Sequence, residues 1–96
     1  MFTHSEFADF EWDEDKRLSN LEKHGIDFLR AAKALMQPHI EEKSDRHGEI
    51  RVLAICPEEQ KFITVVFTMR GDICRIISAR AARKNEQRKY RQIYGG

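Results

Sequence analysis

"KFITVVFTMRGDICRIISA", residues 61–79, consists of two runs rich in β-branched and aromatic side chains on either side of Gly71 and Asp72. Such runs suit half-buried strands, and a Gly-X pair between them suits a two-residue hairpin loop. That loop sets the register: Arg70 faces Ile73, Met69 faces Cys74, Thr68 faces Arg75 and Phe67 faces Ile76. Side chains alternate along a strand. One face therefore collects Ile63, Val65, Phe67, Met69, Cys74 and Ile76. The other collects Thr64, Val66, Thr68, Arg70, Arg75 and Ile77. The first face must be covered. The second is partly open, with a cationic corner near the hairpin.

Working outward, "HIEEKSD" (39–45) and "EIRVLAIC" (49–56) have the same strand character, and "RHG", "PEEQ" and "GD" separate the runs. Three or four antiparallel strands in a meander are predicted. Ahead of them, Asp13 with Glu14 and Asp15 reads as an N-cap with an acidic first turn, and Gly25 reads as a C-terminal stop, which predicts a helix over 14–24. A second helix starts at Asp27 and ends before Pro38, because Phe28, Ala31, Ala32, Leu35 and Met36 share one helical face. The pair has the shape of a helix-turn-helix. Its second helix carries only Arg30 and Lys33, too little cation to hold phosphates and read bases.

The C-terminal segment, Ala82 to Tyr94, reads as a helix with two faces. Gln87, Tyr90 and Tyr94, with Ile93, form a docking side, and Lys84, Arg88 and Arg91 form a basic stripe. The formal charge of the chain is only +1. That total conceals a division: residues 69–96 carry eight Lys and Arg against two Asp and Glu, and the remainder is net acidic. A basic face of this kind meets an anion, most commonly phosphate.

Ninety-six residues with 41% hydrophobic and 34% charged side chains make one α+β domain, 1–96. The acidic start has neither the basic nor the apolar region of a secretory signal, and no apolar run reaches the length of a membrane span. A cytoplasmic protein with no membrane partner is expected. Cys56 and Cys74 sit inside apolar strand runs without CxxC spacing and read as buried small hydrophobes. His4, His24, His39 and His47 form no ligand pairing, so no metal or other cofactor is expected. His47, in the loop "DRHGE", reads as a turn residue, with general base work as the alternative.

Together, "FEWDEDK" (10–16), "NLEKHGIDF" (20–28) and "RGDICRIISAR" (70–80), followed by Glu86 and Tyr90, resemble the BrnT family, toxins of type II toxin-antitoxin pairs that are similar in fold to the RelE ribonucleases. The likeness runs from residue 10 to about 92, leaving 1–9 as an extension. It implies a bacterial endoribonuclease that halts translation. It also implies a BrnA-type antitoxin that binds DNA and forms a hetero-oligomer with the toxin. The chain departs from the family at Phe67 and Met69, where a His or Tyr and an acidic residue are usual, and at Ala81, where a basic residue is usual.

Metal-independent cleavage moves the 2′-hydroxyl onto phosphorus and needs a base, an acid and cations for the growing charge. Arginine serves the last need, with a planar fork for two phosphate oxygens. Arg75 comes from the hairpin register, and Arg51 and Arg80 come from the resemblance. Arg75 and Arg80 lie five residues apart, so a regular strand points them to opposite faces; a bulge, or a turn before Arg80, is required to bring them together. Glu86 is the candidate base or, alternatively, an arginine's ion-pair partner. Tyr90 is the candidate acid if arginines lower its pKa, or else a packing aromatic. Arg75 can equally pair with a carboxylate such as Glu49, and Arg51 can be an edge charge that discourages aggregation. Thr68, Arg70, Lys84, Arg88 and Arg91 are candidate RNA contacts. The competing reading is a module that binds nucleic acid or protein without chemistry.

Overall fold

The computed structural model describes residues 7–46 and 48–95. His4 and His47 lie outside them. The elements, in order, are β1 (Asp9–Glu11), α1 (Glu14–His24), α2 (Phe28–Leu35), β2 (Ile40–Arg46), β3 (Glu49–Glu58), β4 (Lys61–Arg70), β5 (Ile73–Ala81) and α3 (Lys84–Tyr94). The class is α+β as expected. The sheet, however, has five strands in the order β1-β5-β4-β3-β2 and is mixed, because β1 runs parallel to β5. The expectation of three or four antiparallel strands overlooked β1. "DFE" is only three residues long, and its pairing to β5 comes from a distant part of the chain. The two N-terminal helices thus follow a strand instead of opening the fold.

The β4–β5 hairpin has the register deduced from Gly71 and Asp72, with Arg70 opposite Ile73 and Thr68 opposite Arg75. Gly71 adopts a φ of 63°, a left-handed conformation that side-chain-bearing residues rarely take. Further along, Val66 pairs with Ser78 while Phe67 pairs with Ile76, leaving Ile77 as an extra residue in β5. This bulge reverses the alternation beyond it. Arg75, Ser78 and Arg80, opposite Thr68, Val66 and Thr64, therefore share one face.

The other face carries the core. Phe28, Ala31, Ala34 and Leu35 of α2 pack on Val52, Ala54, Val65, Phe67, Ile76 and Ala79. Phe28 and Phe67 are completely buried, and burying a side chain of this size contributes about 1.5–3 kcal/mol. Phe7, Phe10 and Trp12 join from β1 and its flanks, Phe7 edge-on to Phe67 and Trp12 edge-on to Phe28. Met36, expected on the core stripe of α2, is instead 61% exposed, because the helix ends at Leu35 and Met36 only caps it. Cys56 and Cys74 are buried free thiols, as their sequence context indicated. Burial pushes both up to about 12.

Asp13 caps α1 by accepting from the Lys16 amide, and Gly25 closes it at a φ of 70°, so the bounds expected from sequence hold. The helix meets β5 through Asn20, which is only 6% exposed. Its side-chain amide donates to the Ala79 and Ile26 carbonyls, and its oxygen accepts from the Ala79 amide. Asn20 thereby imitates a strand partner along the β5 edge beyond the end of β1, where backbone groups must find partners. Among the described residues, no helix is long and apolar enough to cross a membrane.

Candidate functional site

The second sheet face is divided. α3 lies over the end distant from the β4–β5 hairpin, anchored by Glu86 on Thr64 and by Tyr90 on Phe62. The rest of that face forms a cleft of about 250 Å³ between α3 and the β2 edge. Leu53, Val66 and Ile77 floor it, Ser44 and Ser78 add hydroxyls, and Arg51, Arg80 and Arg83 supply positive charge. Among the described residues, no carboxylate lines it.

Each arginine arrives by a different route. Arg51 comes from β3, where it pairs with Ser44 across the ladder and leans on Glu49 at 3.0 Å. Arg80 comes from β5 and reaches this face because of the bulge at Ile77. Arg83 is the N-cap residue of α3, and its exposed side chain has no ion-pair partner among the described residues. Reasoning from sequence passed over Arg83 as a site residue, together with Ser44 and Ser78. The available signal was the run "SARAAR", with one arginine on each side of a strand end.

Arg80 is held rigidly. Its Nη1 and Nη2 donate to Glu86 Oε1 and Oε2 at 2.8 and 2.9 Å, and Nη1 also donates to the Ala81 carbonyl at 3.3 Å. The Nε–H and one Nη2–H of the guanidinium fork remain for a ligand. Glu86, 5% exposed, additionally accepts from Thr64 Oγ1 at 2.9 Å and from the Arg83 amide at 2.8 Å. These donors, the Arg80 guanidinium foremost, hold its carboxyl down at about 2, against the opposing effect of burial. A carboxylate so saturated orients Arg80 and ties α3 to the sheet; it is poorly disposed to accept a further proton.

The remaining candidates gather elsewhere. Arg75 donates to Glu11 at 3.0 Å, and Arg70 lies 3.9 Å from the same carboxylate. The partner is thus Glu11 of the overlooked strand β1, whereas Glu49 pairs with Arg51. Thr68 donates to the Ile50 carbonyl at 2.9 Å. Tyr90 packs between Phe62 and Tyr94, outside the cleft lining, and burial raises its phenol above the ordinary value, opposite to the lowering that an arginine-activated acid requires. On α3, Lys84 and Arg88 are exposed without ion-pair partners among the described residues, and Arg91 sits 5.5 Å over the Phe62 ring. Phe67 and Met69 face the helix-covered side, so the departures from the family pattern there do not touch the cleft.

With Arg51, Arg80 and Arg83 over an apolar floor, the cleft has a lining suited to a phosphodiester, and Arg51 and Arg80 meet it while also holding Glu49 and Glu86. A family model described as "Ribonuclease toxin, BrnT, of type II toxin-antitoxin system" matches residues 12–86. That span takes in β1's last flank, both N-terminal helices, the meander and the first turn of α3. No curated protein matches the chain.

Proposed function

Because the chain belongs to the BrnT family of ribonuclease toxins of type II toxin-antitoxin systems, we propose that it cleaves RNA endonucleolytically and without a metal ion in the Arg51–Arg80–Arg83 cleft. The observation that carries this reading is the fixed Arg80 guanidinium, turned into a cleft lined by two further arginines and, among the described residues, no carboxylate.

The substrate's 2′-hydroxyl attacks the adjacent phosphorus in line and gives its proton to solvent water; the P–O5′ bond breaks, leaving a 2′,3′-cyclic phosphate and a 5′-oxygen that takes a proton from water, and negative charge grows on the phosphoryl oxygens between these states. Arg80 offers its free Nε–H and Nη2–H to those oxygens, already oriented by Glu86, so little reorganisation accompanies the reaction. Arg51 and Arg83 hold the phosphate from the two sides, and the Ser44 and Ser78 hydroxyls lie in the same lining to orient water or a ribose hydroxyl. Glu86 acts as a positioning group and Tyr90 as an anchor for α3. Arg75 and Arg70, bound to Glu11, add positive potential beside the cleft, while Lys84, Arg88 and Arg91 hold flanking phosphates without reading sequence. The activity arrests translation in the cytoplasm. A BrnA-type antitoxin neutralises it by covering the same cationic face, and the fold's kinship is with the RelE ribonucleases.

Cleavage of labelled RNA in EDTA by the parent chain and by Arg80→Ala and Arg83→Ala, with folding followed by circular dichroism, tests the assignment. Loss of one preorganised donor to a developing oxyanion lowers kcat by about 10²–10³-fold, and Arg80→Ala is expected in that range. Cleavage that disappears in EDTA, or that is indifferent to Arg80→Ala in a folded protein, refutes it.

A further inference from the structure

Positive lining continues past the arginine cleft. A second hollow, of about 200 Å³, opens where α1 meets the β5 bulge, lined by Lys16, Ser19, Lys23 and His24 and by Ile77 and Ser78. The last two residues also line the arginine cleft, so the two hollows adjoin across the bulge. Lys16, Ser19 and Lys23 recur at i, i+3 and i+7 and therefore share one face of α1. Asn20, on the same side, is turned inward onto the Ala79 backbone and holds that face against the strand.

Neither Lys16, Lys23 nor His24 has an ion-pair partner among the described residues, and no carboxylate lines the hollow. Other hollows differ. The one beside α2 sets Glu58 and Glu59 against Arg30 and Lys33, and the one beside β2 sets Glu41 against Lys43. Two adjoining hollows that are both cationic and, among the described residues, both without a carboxylate in their lining suit a chain of phosphates better than a single anion.

We propose that the α1 hollow is a phosphate subsite for the RNA flanking the cleaved bond, so that the strand passes from the arginine cleft over Ile77 and Ser78 onto α1. The proposal rests on the cleft reading above and extends it by giving the substrate a direction. Lys16 and Lys23 act as point charges toward the phosphate, and Ser19 and His24 supply hydrogen bonds. A subsite of this kind adds affinity and a minimum substrate length without base preference.

The test compares two oligoribonucleotides with one common cleavage site, one barely spanning the scissile bond and one extended on both sides. Each is cleaved by the full-length parent and by Lys16→Gln/Lys23→Gln. The parent is expected to favour the longer RNA in kcat/KM, and the double variant to lose that advantage through KM. For the longer RNA the slope of log(kcat/KM) against log salt should become shallower by about 0.7 for each single-strand phosphate contact removed. A folded variant that keeps the length advantage, or that loses both substrates equally, overturns the subsite. So does one that cleaves as the parent but escapes antitoxin inhibition, which assigns the surface to the protein partner. Failure of the cleft reading shows separately, as indifference to Arg80→Ala. In that event anisotropy of the longer RNA decides: weaker, less salt-dependent binding by the double variant upholds the subsite, and unchanged binding overturns it.

Discussion

Glu86→Gln keeps the size of the side chain while removing the charge that holds Arg80. Glu86 is nearly enclosed and Arg80 partly so, with side-chain exposures of 6% and 19%. The carboxyl is displaced from 4.5 to about 2, and at 1.36 kcal/mol per unit that displacement corresponds to about 3 kcal/mol favouring the ionised folded state. Breaking a buried pair by removing one partner costs a similar amount, about 3–5 kcal/mol, because the other charge is left uncompensated. The sign follows from the lowered pKa. The contribution is fully present above pH 4.5 and is lost as the pH falls toward 2. At pH 7, Glu86→Gln should therefore lower stability by about 3 kcal/mol, which for a domain of this size is about 12–24 °C in Tm. Between pH 4.5 and 2 the gap between variant and parent should close, because protonation makes the same change in the parent. Urea titrations followed by circular dichroism across that range measure both effects. Equal stabilities at pH 7, or a gap that persists undiminished at pH 2, refute the account of Glu86 as the buried anchor of Arg80 and α3.

Two further outcomes test the fold around the site. Asn20→Ala leaves the Ala79 amide and the Ala79 and Ile26 carbonyls without their partner; at about 1–3 kcal/mol for each unsatisfied buried group, chemical denaturation should show a loss of at least ~2 kcal/mol, and a change below half that size refutes its strand-mimicking role. With both thiols buried and pushed up to about 12, neither Cys56 nor Cys74 should react with a thiol reagent at pH 8 in the native protein, and both should react in denaturant. Rapid modification of either in the native state refutes the assigned burial.

Most of the fold was legible because its signals are local. Asp13 and Gly25 bound α1 through capping that involves only neighbouring residues, and the Gly71–Asp72 pair sets four rungs of the β4–β5 ladder without reference to the rest of the chain. The apolar alternation of residues 63–69 likewise places Phe67 in the core. β1 escaped because three residues have no periodicity to detect and their pairing joins Asp9 to Ile73. With β1 went Glu11, and so the partner of Arg75 was sought at Glu49. α2 ends before Pro38 as expected, but Met36, which continues the apolar spacing, is the C-cap and lies exposed, off the core face.

For the site, residue chemistry suggested arginines as phosphate ligands and the family resemblance named Arg51 and Arg80, which the structure brings into one cleft lining. Arg80 reaches the face that Arg75 occupies only because of the extra residue Ile77, and that bulge is a property of the pairing between β4 and β5 that alternation along β5 does not show. The surroundings of Glu86 are likewise a matter of packing. One helical turn before Tyr90 it reads equally as a base or as a partner; only the docking of α3 encloses it among Arg80, Thr64 and the Arg83 amide, where four hydrogen bonds and burial leave it a fixed anion. Periodicity, caps and turns are properties of short segments, and sequence determines them. Which charges meet depends on how those segments pack, and for this chain that packing puts Arg51, Arg80 and Arg83 in one cleft lining and sets Arg75 and Arg70 against Glu11.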